Sequence, residues 1–165
     1  MIRRSVPVTP RIAAQSGVGL IEVLIAVLVL SIAFLGIAAL QAVSLSTNNS
    51  AMARSMITVA SYSILDAMRA DISGARNGDY NTPTPIAANA CPAASGSLAS
   101  VQLNQWCSQG LGNKSLGAVA STTGSIACTA VGTASADCTV TITFDDSRAG
   151  VGGTNQQQIV TRAML

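Results

Sequence analysis

The sequence predicts an α+β protein in which a long N-terminal helix packs on a small antiparallel β-sheet. Three observations support this prediction. A proline-free segment from residue 18 to about residue 76 is apolar in its first half and amphipathic in its second. Short β-like segments follow at residues 125–131, 138–144 and 156–165. Four cysteines lie between the helical segment and the last of these strands.

The first half of the helical segment has the length and composition of a membrane span. Between residues 23 and 43 the chain is apolar except at Ser31, Gly36 and Gln41. As a helix this stretch would be about 30 Å long, which matches the thickness of a bilayer core. Residues 1–17, which precede it, contain no acid and three arginines, Arg3, Arg4 and Arg11. Positive charge on the short N-terminal side predicts that this side lies in the cytoplasm.

Glu22 stands at the entrance of this span, and no further charged residue occurs before Arg54. A carboxylate at the centre of a bilayer helix costs roughly 2.5–3.5 kcal/mol on insertion scales, and such residues are usually functional. A plain signal anchor explains the apolar stretch but neither Glu22 nor Gly17, five residues earlier. The alternative for Glu22 is a carboxylate that extends to the cytoplasmic interface and does nothing more.

The stretch "SGVGLIEVLIAV", residues 16–27, resembles the processing motif of type IV prepilins and of the pseudopilins of type II secretion. The resemblance implies that a prepilin peptidase cuts after Gly17 and that the new N-terminal residue, Val18, is N-methylated. Val18 stands where the family usually has phenylalanine or methionine, and Gly19 where it usually has threonine or serine. Glu22 would then lie one helical turn from the new amine. There it is favoured by the helix dipole and could pair with the amine of a neighbouring subunit.

The second half of the helical segment, from residue 50 to about residue 76, is predicted to be an amphipathic helix with one buried stripe. The apolar side of the helical wheel carries Met52, Met56, Ala60, Ile64, Ala67 and Met68. The polar side carries Arg54, Thr58, Asp66 and Arg69. Gly36 and the stretch "STNNS", residues 46–50, are weak positions at which the helix bends or frays. Glycine, asparagine and two prolines in residues 73–85 end it.

The C-terminal half is predicted to be a small β-domain. Residues 125–131 and 138–144 form a hairpin around a turn at residues 132–137, and residues 156–165 form a third strand. In the second strand the alternation places Val140, Ile142 and Phe144 on one face and Thr139, Thr141 and Thr143 on the other. A short helix or turn is expected at residues 101–109, with Trp106 as an anchor in the core.

The four cysteines, Cys91, Cys107, Cys128 and Cys138, predict two disulfides and therefore an oxidising compartment. None belongs to a C-x-x-C pair, and the chain has no histidine to complete a zinc site. Three connectivities are possible. We favour the sequential one, Cys91 with Cys107 and Cys128 with Cys138, because both loops would be short and local.

The remaining composition argues against catalysis and nucleic-acid binding. Charged residues make up 10% of the chain, the net charge is +2, and the basic residues are scattered. The absence of histidine removes the usual general base near pH 7. "GLGNKS", residues 110–115, is not a phosphate-binding loop, because Asn113 separates the glycine from Lys114. Asp145 and Asp146 are expected to form a solvated turn. We expect no catalytic residue, cofactor, metal, nucleic acid or small-molecule substrate.

The sequence thus divides into four predicted parts. Residues 1–17 are a basic prepilin leader that is removed, and residues 18–45 are a hydrophobic transmembrane and assembly helix. Residues 46–76 are its amphipathic continuation, and residues 77–165 are a disulfide-bonded globular head of the pilin type. A plain secretory signal peptide is disfavoured because the apolar run is longer than an ordinary signal core.

The chain is therefore identified as a member of the type IV minor pilin family, on its N-terminal motif and on weaker stretches further along. These stretches are "WC" at residues 106–107 and "CTVTITFDDSR" at residues 138–148. The resemblance implies a structural subunit that primes or caps pilus assembly after cleavage. It implies four partners: a prepilin peptidase, other minor pilins, the major pilin and the inner membrane.

The expected location is the inner membrane, crossed once with a periplasmic head, and then the pilus at the cell surface. Two alternatives stay open. One is an I-type minor pseudopilin of a type II secretion system. The other is a secreted, disulfide-bonded binding module released by ordinary signal peptidase near residue 43.

Overall fold

The computed structural model describes residue 17 and residues 19–112, 121–147 and 156–165, and it confirms the α+β class. Its helices are α1 (Leu20–Ala70), α2 (Ile72–Asn77), α3 (Leu98–Gln105) and a π-helical turn (Trp106–Leu111). Its strands are β1 (Ile86–Ala87), β2 (Thr123–Val131), β3 (Ser135–Phe144) and β4 (Gln157–Met164). The four strands lie in chain order in one antiparallel sheet. The chain divides into two compact units, Met1–Gln41 and Ala42–Leu165.

Helix α1 is continuous for 51 residues and passes through Gly36 and residues 46–50 without interruption. It contains no proline, which is the residue that would remove a backbone donor and break it. Small hydroxyl side chains within it bond to carbonyls of the preceding turn. The hydroxyls of Ser46 and Thr47 donate to the Val43 carbonyl oxygen at 2.9 and 3.0 Å.

The prediction that one helix continues to about residue 76 is wrong, because the helix is interrupted at Asp71. Asp71 leaves the helical conformation (φ −124°, ψ 62°) and its carboxylate accepts from the Gly74 backbone N–H at 3.2 Å. This side-chain cap starts a separate short helix, α2. Gly78 ends α2 with φ 80°, a left-handed conformation that glycine adopts without steric cost.

The buried stripe of α1 begins later than the sequence predicts. Met52 is 53% exposed and Met56 is half-buried, so the prediction that both lie in the core is wrong for Met52. The stripe starts at Ile57 and continues with Ala60, Ser61, Ile64, Leu65 and Met68. The hydroxyl of buried Ser61 donates to the Ile57 carbonyl at 3.1 Å, so this polar group in the core is satisfied.

Strands β2 and β3 form the predicted hairpin, and both extend beyond their predicted limits. The connection is only residues 132–134, and Gly132 adopts φ 60° there. The prediction of a turn at residues 132–137 is too long, because β3 starts at Ser135. Ala136 gains a second partner there, exchanging backbone hydrogen bonds with Leu165 at 3.1 and 2.8 Å.

The core lies between the inner face of the sheet and the buried stripe of α1. The alternation predicted for β3 is confirmed: its inner side chains, Ala136, Cys138, Val140, Ile142 and Phe144, are at most 4% exposed. The third predicted strand is β4, at the edge of the sheet. The opposite edge is the two-residue strand β1, which the sequence did not predict.

Trp106 lies in the core, as predicted. It is 5% exposed, and its indole Nε1 donates to the Ala60 carbonyl of α1 at 3.0 Å. It begins the π-helical turn that follows α3 directly, so the short helix expected at residues 101–109 is present and longer. The indole thereby ties the segment after α3 to α1.

Candidate functional site

The start of α1 is where the sequence places the processing and assembly residues. Gly17 is exposed, and a Cβ built on it would have no heavy atom within 4 Å. The Gly19 carbonyl accepts from the backbone N–H groups of Glu22 at 2.9 Å and Val23 at 3.3 Å. These bonds form the first turn of the helix and place Glu22 within it. Val18 and residues 1–16 of the predicted leader lie outside the described residues, and so do Asn113 and Lys114.

The α1 segment that follows presents an apolar surface on all sides. Every residue from 20 to 45 is exposed in the isolated chain, including Phe34 at 61% and Leu35 at 72%. By length and composition α1 is able to cross a membrane. A helix that is hydrophobic all round needs an apolar environment, such as a bilayer or other helices. Glu22 is the acidic group in the first turn of this surface.

The cysteines form two disulfides in the unit Ala42–Leu165. Cys91 pairs with Cys107 and Cys128 pairs with Cys138, which is the sequential connectivity favoured from the sequence. Cys128 and Cys138 lie directly opposite each other on β2 and β3, with Cα atoms 4.1 Å apart. Cys91 and Cys107 link the segment after β1 to the π-helical turn.

Asp146 is a buried charged residue that sequence reasoning missed. The solvated turn expected for Asp145 and Asp146 is wrong at Asp146, whose side chain is 3% exposed. Its Oδ2 accepts from the Ser50 hydroxyl at 2.7 Å and from Arg54 Nη2 at 2.8 Å and Nε at 3.3 Å. Asp146 follows Phe144 by two residues, which continues the inward alternation of β3 and was the available signal.

Tyr80 forms a second buried polar cluster. Its hydroxyl lies 3.1 Å from Asp71 Oδ2 and also contacts the side-chain amide of Gln102. The ring is fully buried. Burial raises the pKa of the Tyr80 hydroxyl above its usual range, and the bond to the Asp71 carboxylate raises it further. The cluster connects the break after α1 to α3, so its role is structural.

The unit Ala42–Leu165 also carries a groove and an ion pair on its surface. A groove of about 190 Å³ runs between α1 and α3, lined by Ala60, Ser63, Ile64, Ala67, Gln102, Gln105, Trp106, Gln109 and Gly110. Across β3 and β4 the Arg162 guanidinium donates to both oxygens of Asp137. These hydrogen bonds hold the pKa of the Asp137 carboxyl below its usual range. Within the described residues, no three His, Cys, Asp or Glu side chains lie together as metal ligands would.

No family model, curated protein or solved structure matches this chain. The exposed apolar helix with one carboxylate in its first turn is suited to association in an apolar environment. The disulfide-bonded unit after it is suited to an oxidising compartment.

Proposed function

We propose that this chain is a minor type IV pilin, a structural subunit that a prepilin peptidase processes and that then primes or caps a pilus. The observation that carries the proposal is the order of features at the start of α1. A basic segment ends at Gly17, the helix begins at Leu20, and Glu22 lies in its first turn, followed by an uninterrupted apolar surface. A leader, a glycine and a glutamate in this order resemble the prepilin motif.

Two further observations support the proposal. The second half of α1 packs on an antiparallel sheet, so one helix serves both an apolar segment and a head. Both disulfides lie in the unit after the apolar segment, which agrees with a periplasmic head. Within the family, "WC" at residues 106–107 and "CTVTITFDDSR" at residues 138–148 favour the PilV type, the pilus modification proteins.

The proposed partners are the prepilin peptidase, other minor pilins, the major pilin and the inner membrane. The I-type minor pseudopilin of type II secretion remains the alternative within the same superfamily, because it shares the N-terminal motif. The two are separated by locating the mature protein, in sheared pili or in a secretion complex.

The mature N-terminus tests the proposal. We expect mass spectrometry of the mature protein to find N-methylated Val18 as the first residue. In Gly17→Val we expect the leader to stay attached and the protein to remain in the membrane, because a peptidase must approach this backbone closely. No heavy atom lies within 4 Å of a Cβ at Gly17, so the substitution meets no neighbour within the described residues.

Gly19→Ser is the matched control, because serine is common at this position in the family and its Cβ would meet only Ile21 at 3.9 Å. We expect this variant to be cleaved like the wild type. A mature chain that begins near residue 43 would instead identify a secreted module released by ordinary signal peptidase. Gly17→Val at the mature mass in sheared pili would rule out cleavage after Gly17.

A further inference from the structure

Helix α1 has a poorly supported stretch just before its buried stripe begins. Its first buried side chain within the described residues is Ile57. Residues 46–50, "STNNS", are serine, threonine and asparagine, which rank low in helix propensity. The hydroxyls of Ser46 and Thr47 bond back to the Val43 carbonyl, a pattern that weakens or bends a helix. Neither burial nor propensity explains why residues 46–50 are helical, and between them and Ile57 only Ala53 and Met56 are half-buried.

Asp146 supplies the missing support. Its carboxylate is buried, so it has exchanged water for protein donors, and a buried charge needs such donors to be stable there. Three of them converge on Oδ2: the Ser50 hydroxyl and two nitrogens of Arg54. Ser50 and Arg54 are four residues apart and therefore share one face of α1. Asp146 belongs to the segment that leaves β3, so these bonds join the sheet to two successive turns of the helix.

We propose that Asp146 is a latch that holds residues 46–56 of α1 in helical form on the end of β3. It is a positioning residue: it acts on the helix through Ser50 and Arg54. With the latch closed, ordered helix extends more than two turns before the buried stripe. With it open, only the half-buried Ala53 and Met56 support the helix before Ile57. The proposal stands on these contacts alone and does not require the chain to be a pilin.

The test is amide hydrogen exchange of the full chain in dodecyl maltoside micelles, followed by mass spectrometry of its peptides. In Asp146→Ala we expect the backbone amides of residues 46–56 to exchange about tenfold faster than in the wild type, because local opening sets the exchange rate. Residues 60–68 should exchange as in the wild type, because their support is the core. Asp66→Ala is the matched control: it removes an exposed ion pair with Arg69 on the same helix, and exchange at residues 46–56 should not change.

The fluorescence of Trp106, the only tryptophan, reports whether the core is intact, because the buried indole bonds to α1. If Asp146→Ala loses this fluorescence, the same exchange measurement is made on Arg54→Gln, which removes the guanidinium from the latch on the helix side. Faster exchange confined to residues 46–56, with unchanged fluorescence, supports the latch. Wild-type exchange there, or an equal increase at residues 60–68, overturns it.

Discussion

Tyr80 should make the stability of the protein fall at high pH. Its hydroxyl keeps its proton in the folded protein because burial and the Asp71 carboxylate raise its pKa above the ordinary value of about 10. The unfolded chain releases that proton near pH 10. The contribution of Tyr80 to the free energy of unfolding is therefore fully present below about pH 10 and declines as the pH rises above that value. Urea unfolding of the full chain in micelles at pH 8 and pH 11, followed by Trp106 fluorescence, measures the difference.

The matched controls are two tyrosine-to-phenylalanine variants. Tyr80→Phe should be less stable at pH 8, because Asp71 and Gln102 lose a partner, but it should lose less stability between pH 8 and pH 11. Tyr62→Phe changes an exposed ring and should behave like the wild type. A loss on alkalisation as large in Tyr80→Phe as in the wild type would show that other groups cause it.

Gly124 is a position at which the core leaves no room for a side chain. A Cβ there would lie 2.4 Å from Trp106 Cη2 and 2.8 Å from Leu111 Cδ1. Gly124→Ala should therefore destabilise the protein by about 1–3 kcal/mol, the usual cost of overpacking. Ser125→Ala, next in β2 but on its half-exposed outer face, should change stability by less than about 0.5 kcal/mol. Urea midpoints compare the two, and equal midpoints would mean that Trp106 moves aside without cost.

Residues whose role follows from the local pattern were predictable, and those whose role depends on a distant partner were not. The inward side chains of β3 and buried Trp106 follow from alternation and size. The alternation of β3 points Asp146 inward, but the sequence does not show which donors would satisfy a buried charge there, because Ser50 and Arg54 are more than 90 residues away in the chain. The same limit applies to Met52: the wheel identifies a stripe but not the point at which the head begins to cover it.

At the scale of elements, the long helix, the hairpin and the last strand follow from periodicity. The sequence did not predict the break at Asp71, because serine and glycine after it are also typical of a helix end. In the structure the Asp71 carboxylate caps a second helix, α2. Strand β1 was missed because two residues carry no period. It exists through its pairing with Thr123 and Gly124 of β2, which no local pattern reveals.

The two disulfides should differ in what they contribute. In the chain-entropy model each closes a loop of comparable length, with sequence separations of 16 and 10, and is worth about 3 kcal/mol. Cys128 and Cys138 both belong to the buried core, and Cys128 contacts Met68. Cys91 is half-buried, and Cys107 is buried but lies outside that core cluster. Replacing Cys128 and Cys138 by alanine also leaves a cavity in the core. We expect this double variant to unfold at lower urea than the Cys91→Ala, Cys107→Ala variant.

Trp106 fluorescence in urea gives both midpoints, and the wild type treated with reductant serves as the reference for loss of both links. A lower midpoint for the Cys91→Ala, Cys107→Ala variant would contradict the cavity argument. It would show instead that the link between the segment after β1 and the π-helical turn carries more of the stability.

At the scale of the whole molecule, one helix carries two different surface patterns. The same element is apolar all round from residue 20 to residue 45 and then, from Ile57, buries only one stripe. Asp146 bonds to Ser50 and Arg54, which lie in the turns between the apolar segment and the buried stripe. The sequence shows both regimes through composition, but it does not show the contact that joins them.

Glu22 should matter for assembly and not for folding or insertion. It lies in the first turn of α1, and the buried residues of that helix begin 35 positions later at Ile57, so its loss should leave the core unchanged. Removing the charge should ease insertion, because the carboxylate is the costly group in a bilayer. We therefore expect Glu22→Ala to be expressed, cleaved after Gly17 and retained in the inner membrane, but poorly recruited into pili. Glu22→Gln, which keeps the size and loses the charge, should behave similarly.

The measurements are co-purification with other minor pilins and the amount of the chain in sheared fibres, with the mature N-terminus determined in parallel. Val23→Ala is a matched control, since it changes the neighbouring exposed side chain without removing a charge. The paired outcome of normal cleavage and failed recruitment separates assembly from processing, because a carboxylate that pairs with a neighbouring amine acts only once subunits meet. Wild-type recruitment of both Glu22 variants would mean that the carboxylate only extends to the membrane interface, and its role in assembly would have to be abandoned.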